Sequence, residues 1–307
     1  MKNAIRLLSL GFCFTAVRLF AGPIGTSAES AVTTQSNEPT AMFEFDVRDT
    51  YVGDGDVERG RFSVRGFDEN DASASLIFTP RIRFGILRLG GGYERFDFGL
   101  PAGTQLPDRL QAAYFVVGLD TEFSDSFLIR LEARPGWYGA DSNAFRGDTF
   151  DVPFIIGGTY IFSPTFQLVF GVGVDFHSHY PVLPGGGVRW KFAPHWTLNA
   201  VVPTPRLEYE VNKSFTLYGG ADIKAGTYRV NSSYGDTHFD RRLNNAYMAF
   251  TEVRAGVGFD WKLCPNFTLT AEGGYVPYRN FDFYRPSVRY HQDGGAPYGT
   301  LGLHAAF

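Results

Sequence analysis

The sequence predicts an all-β chain, a closed antiparallel transmembrane β-barrel of about 14 strands, or about 12 if its weakest pair merges. Three observations predict it. Long segments alternate oily and charged residues with period two, the period of a strand. A short turn recurs in "FSDSFLI", "FSPTFQL", "FAPHWTL", "VNKSFTL" and "LCPNFTL". The composition is rich in aromatics (16%, with 30 Phe) and in Gly (36). With these goes a mean hydropathy of -0.13, a value for a polar-lined barrel rather than for a bundle of membrane helices.

From the N-terminus, Lys2 and Arg6 precede "LLSLGFCFTAV", an apolar run too short to span a bilayer. Small residues follow, with cleavage expected after Ala28 and Ala21 as a second candidate, so residues 1–28 read as a secretory signal. Phe12 stands where a lipoprotein signal at Cys13 would need a small residue. Residues 29–40 read as a disordered polar leader, and 41–307 as the barrel. Once Cys13 is removed, Cys264 is the single cysteine, so no disulfide within the chain holds it together.

The expected strands are about 41–51, 72–84, 86–98, 111–123, 126–138, 151–162 and 166–178, then 183–192, 196–202, 205–211, 215–229, 246–263, 267–280 and 297–307. In "TEVRAGVGFDWKL" one face reads Val253, Ala255, Val257, Phe259, Trp261 and Leu263, and the other Glu252, Arg254, Gly256, Gly258, Asp260 and Lys262. "FQLVFGVGVDFH" and "SFLIRLEARPGW" alternate in the same way. Strands of a soluble sandwich run about five or six residues. These keep an oily face for about ten or more, the length of a tilted strand crossing hydrocarbon. In lipid every backbone group must be paired, so the sheet must close, with the oily face outward and the charged face lining the interior. The pair within 196–211 is the weakest, because "VVPTPRLEY" carries two prolines and Pro cannot donate to a ladder. Longer segments (52–71, 99–110, 139–150, 230–245, 281–296) read as loops at the end opposite the short turns.

The C-terminal "YGTLGLHAAF" sets Gly299, Leu301, Leu303, Ala305 and Phe307 on one face. Here the chain resembles bacterial outer-membrane β-barrels, whose last strand ends in Phe after alternating apolar residues. The resemblance implies a cell outer-membrane location, outer-membrane lipid around the barrel, and recognition of Phe307 by the barrel-assembly machinery. The blocks "LPGGGVRWKFAPHWTLN", "PTPRLEY" and "GGYERFDFG" are also similar to an uncharacterised domain-of-unknown-function family of predicted outer-membrane proteins.

The inward face mixes signs. Candidate pore-lining residues are Arg130, Glu132, Arg134, Arg189, Lys191, Glu252, Arg254, Asp260, Lys262 and Glu272, with Arg81, Arg83, Arg88, Asp120, Glu122, Asp222 and Lys224 beside them. They read either as a charged constriction that selects a hydrophilic solute or as a mutually neutralising network that fills the interior. Tyr93, Tyr114, Trp137, Trp190, Trp196 and Trp261 read as interface anchors. "HSHY" offers His177, Ser178 and His179, but alternation puts Ser178 opposite both histidines and no third metal ligand is evident. "GDGD" at 53–56 reads as a flexible polar loop rather than a Ca²⁺ site.

No catalytic set and no cofactor are expected. A net charge of -4 offers no footprint for nucleic acid, and nothing marks a subunit interface. The expected function is a porin-like channel for small hydrophilic solutes or ions. The alternatives are a closed surface-binding barrel acting through its loops and, third, a barrel hydrolase.

Overall fold

The computed structural model describes residues 42–60, 62–101, 104–141, 143–238 and 240–307. The expected signal (1–28) and polar leader (29–40) lie outside the described residues. The wall consists of 14 antiparallel strands: β1 Phe43–Arg59, β2 Phe62–Phe78, β3 Gly85–Gly99, β4 Arg109–Ser124, β5 Phe127–Ala133, β6 Phe154–Ser163 and β7 Phe166–Val174, followed by β8 Val182–Ala193, β9 Trp196–Asn199, β10 Arg206–Asn212, β11 Phe215–Arg229, β12 Tyr247–Cys264, β13 Phe267–Phe283 and β14 Ala296–Ala306. Each pairs with its sequence neighbours, and β14 also pairs with β1 from Glu44↔Ala306 to Val52↔Tyr298, which closes the barrel.

The recurrent turns fall where the sequence places them, at 124–127, 163–166, 193–196, 212–215 and 264–267. Both ends of the described chain meet there too: the Phe307 N–H donates to the Phe43 carbonyl at 3.0 Å. Alternation then decides the faces. Val257, Trp261, Leu301, Leu168, Phe170 and Trp190 point outward and are exposed, whereas Glu252, Arg254 and Arg130 are buried inside. The exposed belt is apolar and aromatic, as a wall facing hydrocarbon must be. Tyr114 departs from expectation. It shares the inward face of β4 with Leu110 and Ala112, stacks on Tyr138, and fills the space left open by Gly92, where an added Cβ would come within 2.6 Å of it.

The loops carry more structure than the sequence reading gave them. Residues 52–59 end β1 and residues 62–71 begin β2, paired as far as Arg59↔Phe62, with register shifts absorbed between Val52 and Val57. The "GDGD" segment is therefore strand. Between 281 and 296, Val288–Asp293 folds back on β13 and β1. Residues 230–246 hold short helical turns at Tyr234–Thr237 and Arg241–Leu243. Pro135 interrupts β5, which resumes as Gly136–Ala140 along β4. β9 is only four residues long, at the proline-bearing place the sequence marks as weakest.

Candidate functional site: the barrel interior

From the long-loop end inward, the first layer is an aromatic plug. Phe67, Phe96, Phe98, Phe250 and Phe281 point inward from β2, β3, β12 and β13 and pack together with ring centroids 5.0–6.4 Å apart. Loop residues complete it. Leu106 from the 100–108 loop and Tyr234 and Leu243 from the 230–246 loop are buried against these rings. The two loops also hold each other: Gln105 Nε2 donates to the His238 carbonyl at 2.8 Å, and Tyr234 Oη to the Gln105 carbonyl at 3.2 Å. The layer is held by buried apolar contact, which needs no specific partner geometry.

Beneath the plug lies a charged layer. Arg254 donates to Glu69 at 2.9 Å, to Asp71 at 2.8 Å and to Glu252 at 2.5 Å. Arg279 donates from Nε to Glu252 at 2.6 Å, and its Nη2 lies 2.9 Å from Glu69. Glu252 and Arg279 are fully shielded from solvent, at 0% exposure. The Arg279 guanidinium stands 4.8 Å from the Phe67 ring centroid, so the two layers are joined. Two planar forks spread over three carboxylates suit arginine, whose donors are fixed in a plane; a lysine could not reproduce the arrangement.

A second charged group sits on β3, β4 and β5. Arg130 grips Asp120 with two bonds of 2.6 and 2.5 Å, and Glu132 accepts from Arg134 at 2.8 Å and from Arg88 at 3.3 Å. On the opposite wall Lys224 and Arg48 approach Asp222 at 3.8 and 3.3 Å. Glu272 accepts from Tyr218 at 2.8 Å and from Tyr298. Toward the short-turn end the pairs loosen. Arg189 meets Glu208 at 3.8 Å, Lys191 meets Glu210 at 3.3 Å, Arg206 meets Asp260 at 3.7 Å, and Lys262 is exposed.

All ten candidate residues therefore lie on the inward-facing register, but in separate groups. Arg254 and Glu252 are locked together; Arg130, Glu132 and Arg134 form a cluster of their own; Glu272 stands with Tyr218 and Tyr298; Arg189, Lys191, Asp260 and Lys262 ring the short-turn end. The sequence reading missed Glu69, Asp71 and Arg279. Its signal was present in the alternation of Phe67, Glu69 and Asp71, masked by the turn-forming residues around them. His177 and His179 do not form a pair. His177 lies 2.9 Å from Asp151 and stacks on Tyr247, while His179 stacks on Tyr180. Asp175 joins His177 and Asp151, with the three groups within 4.8 Å of one another.

Between the charged groups and the short turns is a cavity of roughly 600 Å³. Its wall on β6, β7 and β8 is made of small residues such as Gly157, Gly171 and Gly185 together with Ile155 and Leu183, and Arg130 and Asp120 reach its edge. Elsewhere glycine has the opposite use. Added Cβ atoms at Gly256 and Gly258 would come within 2.5 and 2.6 Å of Tyr298 and Tyr218, so those glycines house inward tyrosines. One side of the lumen is thus crowded and the other is hollow.

A closed 14-stranded wall, an apolar outer belt and a polar, partly plugged lumen define an outer-membrane β-barrel. The family model described as Domain of unknown function (DUF6268) matches residues 79–292, and the chain belongs to that family. A comparison with curated protein sequences gave no match. Among solved structures, the fold is similar to that of an outer membrane channel from Pseudomonas putida F1, with 9% identity and a TM-score of 0.51 over 90% of this chain and 98% of that one. A FadL homologue of Pseudomonas aeruginosa matches with 10% identity and a TM-score of 0.44 over 87% and 90% of the two chains. The KdgM porin matches with 12% identity and a TM-score of 0.37 over 86% and 99%. At 9% identity the likeness to the Pseudomonas putida channel is one of fold alone.

Proposed function

We propose that the protein is a gated outer-membrane channel for small solutes, with its short-turn end in the periplasm and its long loops outside the cell. The observation that carries this reading is the layered lumen. A cavity of roughly 600 Å³ is separated from the long-loop end by material that is partly loop, and loops can move without breaking the wall. Once the plug shifts, a solute meets paired charges of both signs, which favours a hydrophilic solute or an ion. Outer-membrane lipid surrounds the apolar belt, and Phe307 serves the assembly machinery.

The test is single-channel recording of the refolded protein in a planar bilayer. Long closed periods broken by salt-dependent openings are expected. Arg130→Ala should shift selectivity toward cations and Glu252→Ala toward anions. A folded, heat-modifiable barrel that stays silent at every voltage would remove the channel reading and leave a closed surface barrel acting through its loops.

A further inference from the structure

The 14 strands close on themselves, but on one side the ladder has a break along part of its height. The β9–β10 hairpin rises only part of the way between β8 and β11. β9 pairs with β8 at Arg189–Ala193, and the hairpin tip adds bonds from the Ala200 N–H to the Val188 carbonyl at 2.8 Å and from the Val202 N–H to the Gly186 carbonyl at 3.3 Å. On the other side, β10 pairs with β11 at Phe215–Gly220, and the tip continues to Ile223, whose N–H donates to the Pro203 carbonyl at 3.0 Å. Beyond these points β8 runs on to Val182 paired with β7, and β11 runs on to Arg229 paired with β12. The next strand contact of β11 on this side is one bridge, Arg229↔Gly139.

Prolines edge the break. The carbonyls of Val188 and Gly186 face the hairpin, so Pro184, two residues on, turns its N–H-less nitrogen the same way. Pro203 and Pro205 form the lower lip. Proline is tolerated in a strand where no ladder partner is wanted. In hydrocarbon an open sheet edge is excluded unless it lines a cavity. This one does: Pro184, Gly185, Val202, Pro203 and Ile223 line the same cavity as Arg130 and Asp120.

We infer that the break between β8 and β11 is a lateral port, through which small apolar or amphipathic molecules pass between the membrane and the lumen cavity. The axial way in is filled by the aromatic plug and the Arg254–Arg279 layer. The lower lip, by contrast, carries no charge: it is Pro184, Val202, Pro203 and Ile223, and the carboxyl of Asp175 stands only at the upper rim, bonded to Thr227. Behind it the glycine-rich wall of β6–β8 offers a smooth apolar surface, and the Arg130–Asp120 pair can receive one polar group at the inner edge. The volume is in the range that takes a small-molecule ligand. The port rests on the channel reading for one point only, the exit of the molecule to the periplasm.

Glycine geometry supplies the blocking variants. An added Cβ at Gly185 meets nothing within 4 Å, and at Gly157 it makes an ordinary contact with the Phe170 carbonyl at 3.6 Å. Gly299, on the outward face of β14, also has nothing within 4 Å and serves as the control. In outer membranes carrying the full chain, entry of the apolar dye N-phenyl-1-naphthylamine should be several-fold faster than in membranes without it. Gly185→Trp and Gly157→Leu should return entry to background, and Gly299→Trp should not. Heat-modifiable mobility confirms assembly of each variant, and Gly157→Leu stands in if Gly185→Trp does not assemble. Dye entry that the wild-type chain does not accelerate overturns the port, and so does acceleration that survives both cavity variants. Entry of the hydrophilic anion nitrocefin, read by a periplasmic β-lactamase, separates the two readings. Nitrocefin above background with no dye effect sinks the port and leaves the channel; both at background sink both.

Discussion

Arg254 shows how much of the interior hangs on single side chains. It touches Glu69, Asp71 and Glu252 at once, and Arg279 repeats two of those contacts. Arg254→Met would leave three carboxylates facing one another around a single guanidinium, out of reach of water. Removing one partner of a buried pair costs about 3–5 kcal/mol, much of it for the charge left behind. The urea midpoint of the folded, heat-modifiable form should fall accordingly, and Arg254→Lys should rescue little, since one ammonium cannot fork across three acceptors. An unchanged midpoint would show that the layer is not structural. Two of the three partners of Arg254, Glu69 and Asp71, lie in "GFDENDAS", whose Gly, Asp and Asn read as turn chemistry. Pairing with β1 on one side and β3 on the other makes that stretch a strand.

At the scale of elements, legibility followed periodicity. The bounds of β11 and β12 could be read almost to the residue, because fifteen or more residues of alternation leave one register that keeps charge out of lipid. β9 could not, because "AVVPTP" breaks the alternation and its outcome depends on what β8 and β11 do on either side. Alternation predicts strand up to 178, yet β7 ends at Val174 and the chain turns, with the Asp175 side chain accepting from the His177 N–H at 2.9 Å. Burial, with Asp151 beside it, pushes the Asp175 carboxyl above its usual range, against hydrogen bonds from Thr227 and His177 that pull it down. A raised carboxyl binds its proton more tightly in the folded chain than in the unfolded one. Its contribution is therefore full at low pH and is lost as the pH rises from the ordinary carboxylate range, near 4, through the raised value. Asp175→Asn keeps an acceptor and removes the titration. Its melting temperature should fall less than that of the wild type as pH is raised from about 4 to about 8, with the two closest at the acid end. Parallel pH profiles would show that the surroundings do not raise the Asp175 carboxyl.

At the scale of the whole molecule, the two ends of the barrel are built on different principles. Near the short turns the lumen is lined by glycine and loosely paired charge; near the long loops it is packed like the core of a soluble domain. Alternation along the chain makes the wall legible, but it does not show that the upper lumen is filled. The filling residues, Phe96, Phe250 and Phe281, lie on the inward register that lower down carries Arg88, Glu252 and Arg254, and their apolar character only makes sense once Tyr234 and Leu243 fold over them. The wall does not depend on that covering. β11 and β12 close their ladder at Arg229↔Tyr247, and the Val230 N–H still bonds to the Ala246 carbonyl at 3.0 Å. Replacing residues 231–245 with a short Gly-Ser turn should therefore leave a barrel that assembles and shows heat-modifiable mobility. With Tyr234 and Leu243 gone, the plug loses its lid and the rings beneath it lose their packing. Open dwell times in a planar bilayer should lengthen several-fold, and the single-channel current should still scale with salt. If the shortened chain assembles and its dwell times match those of the wild type, the barrier lies in the charged layer around Arg254 and Arg279, and the loop is only its cover.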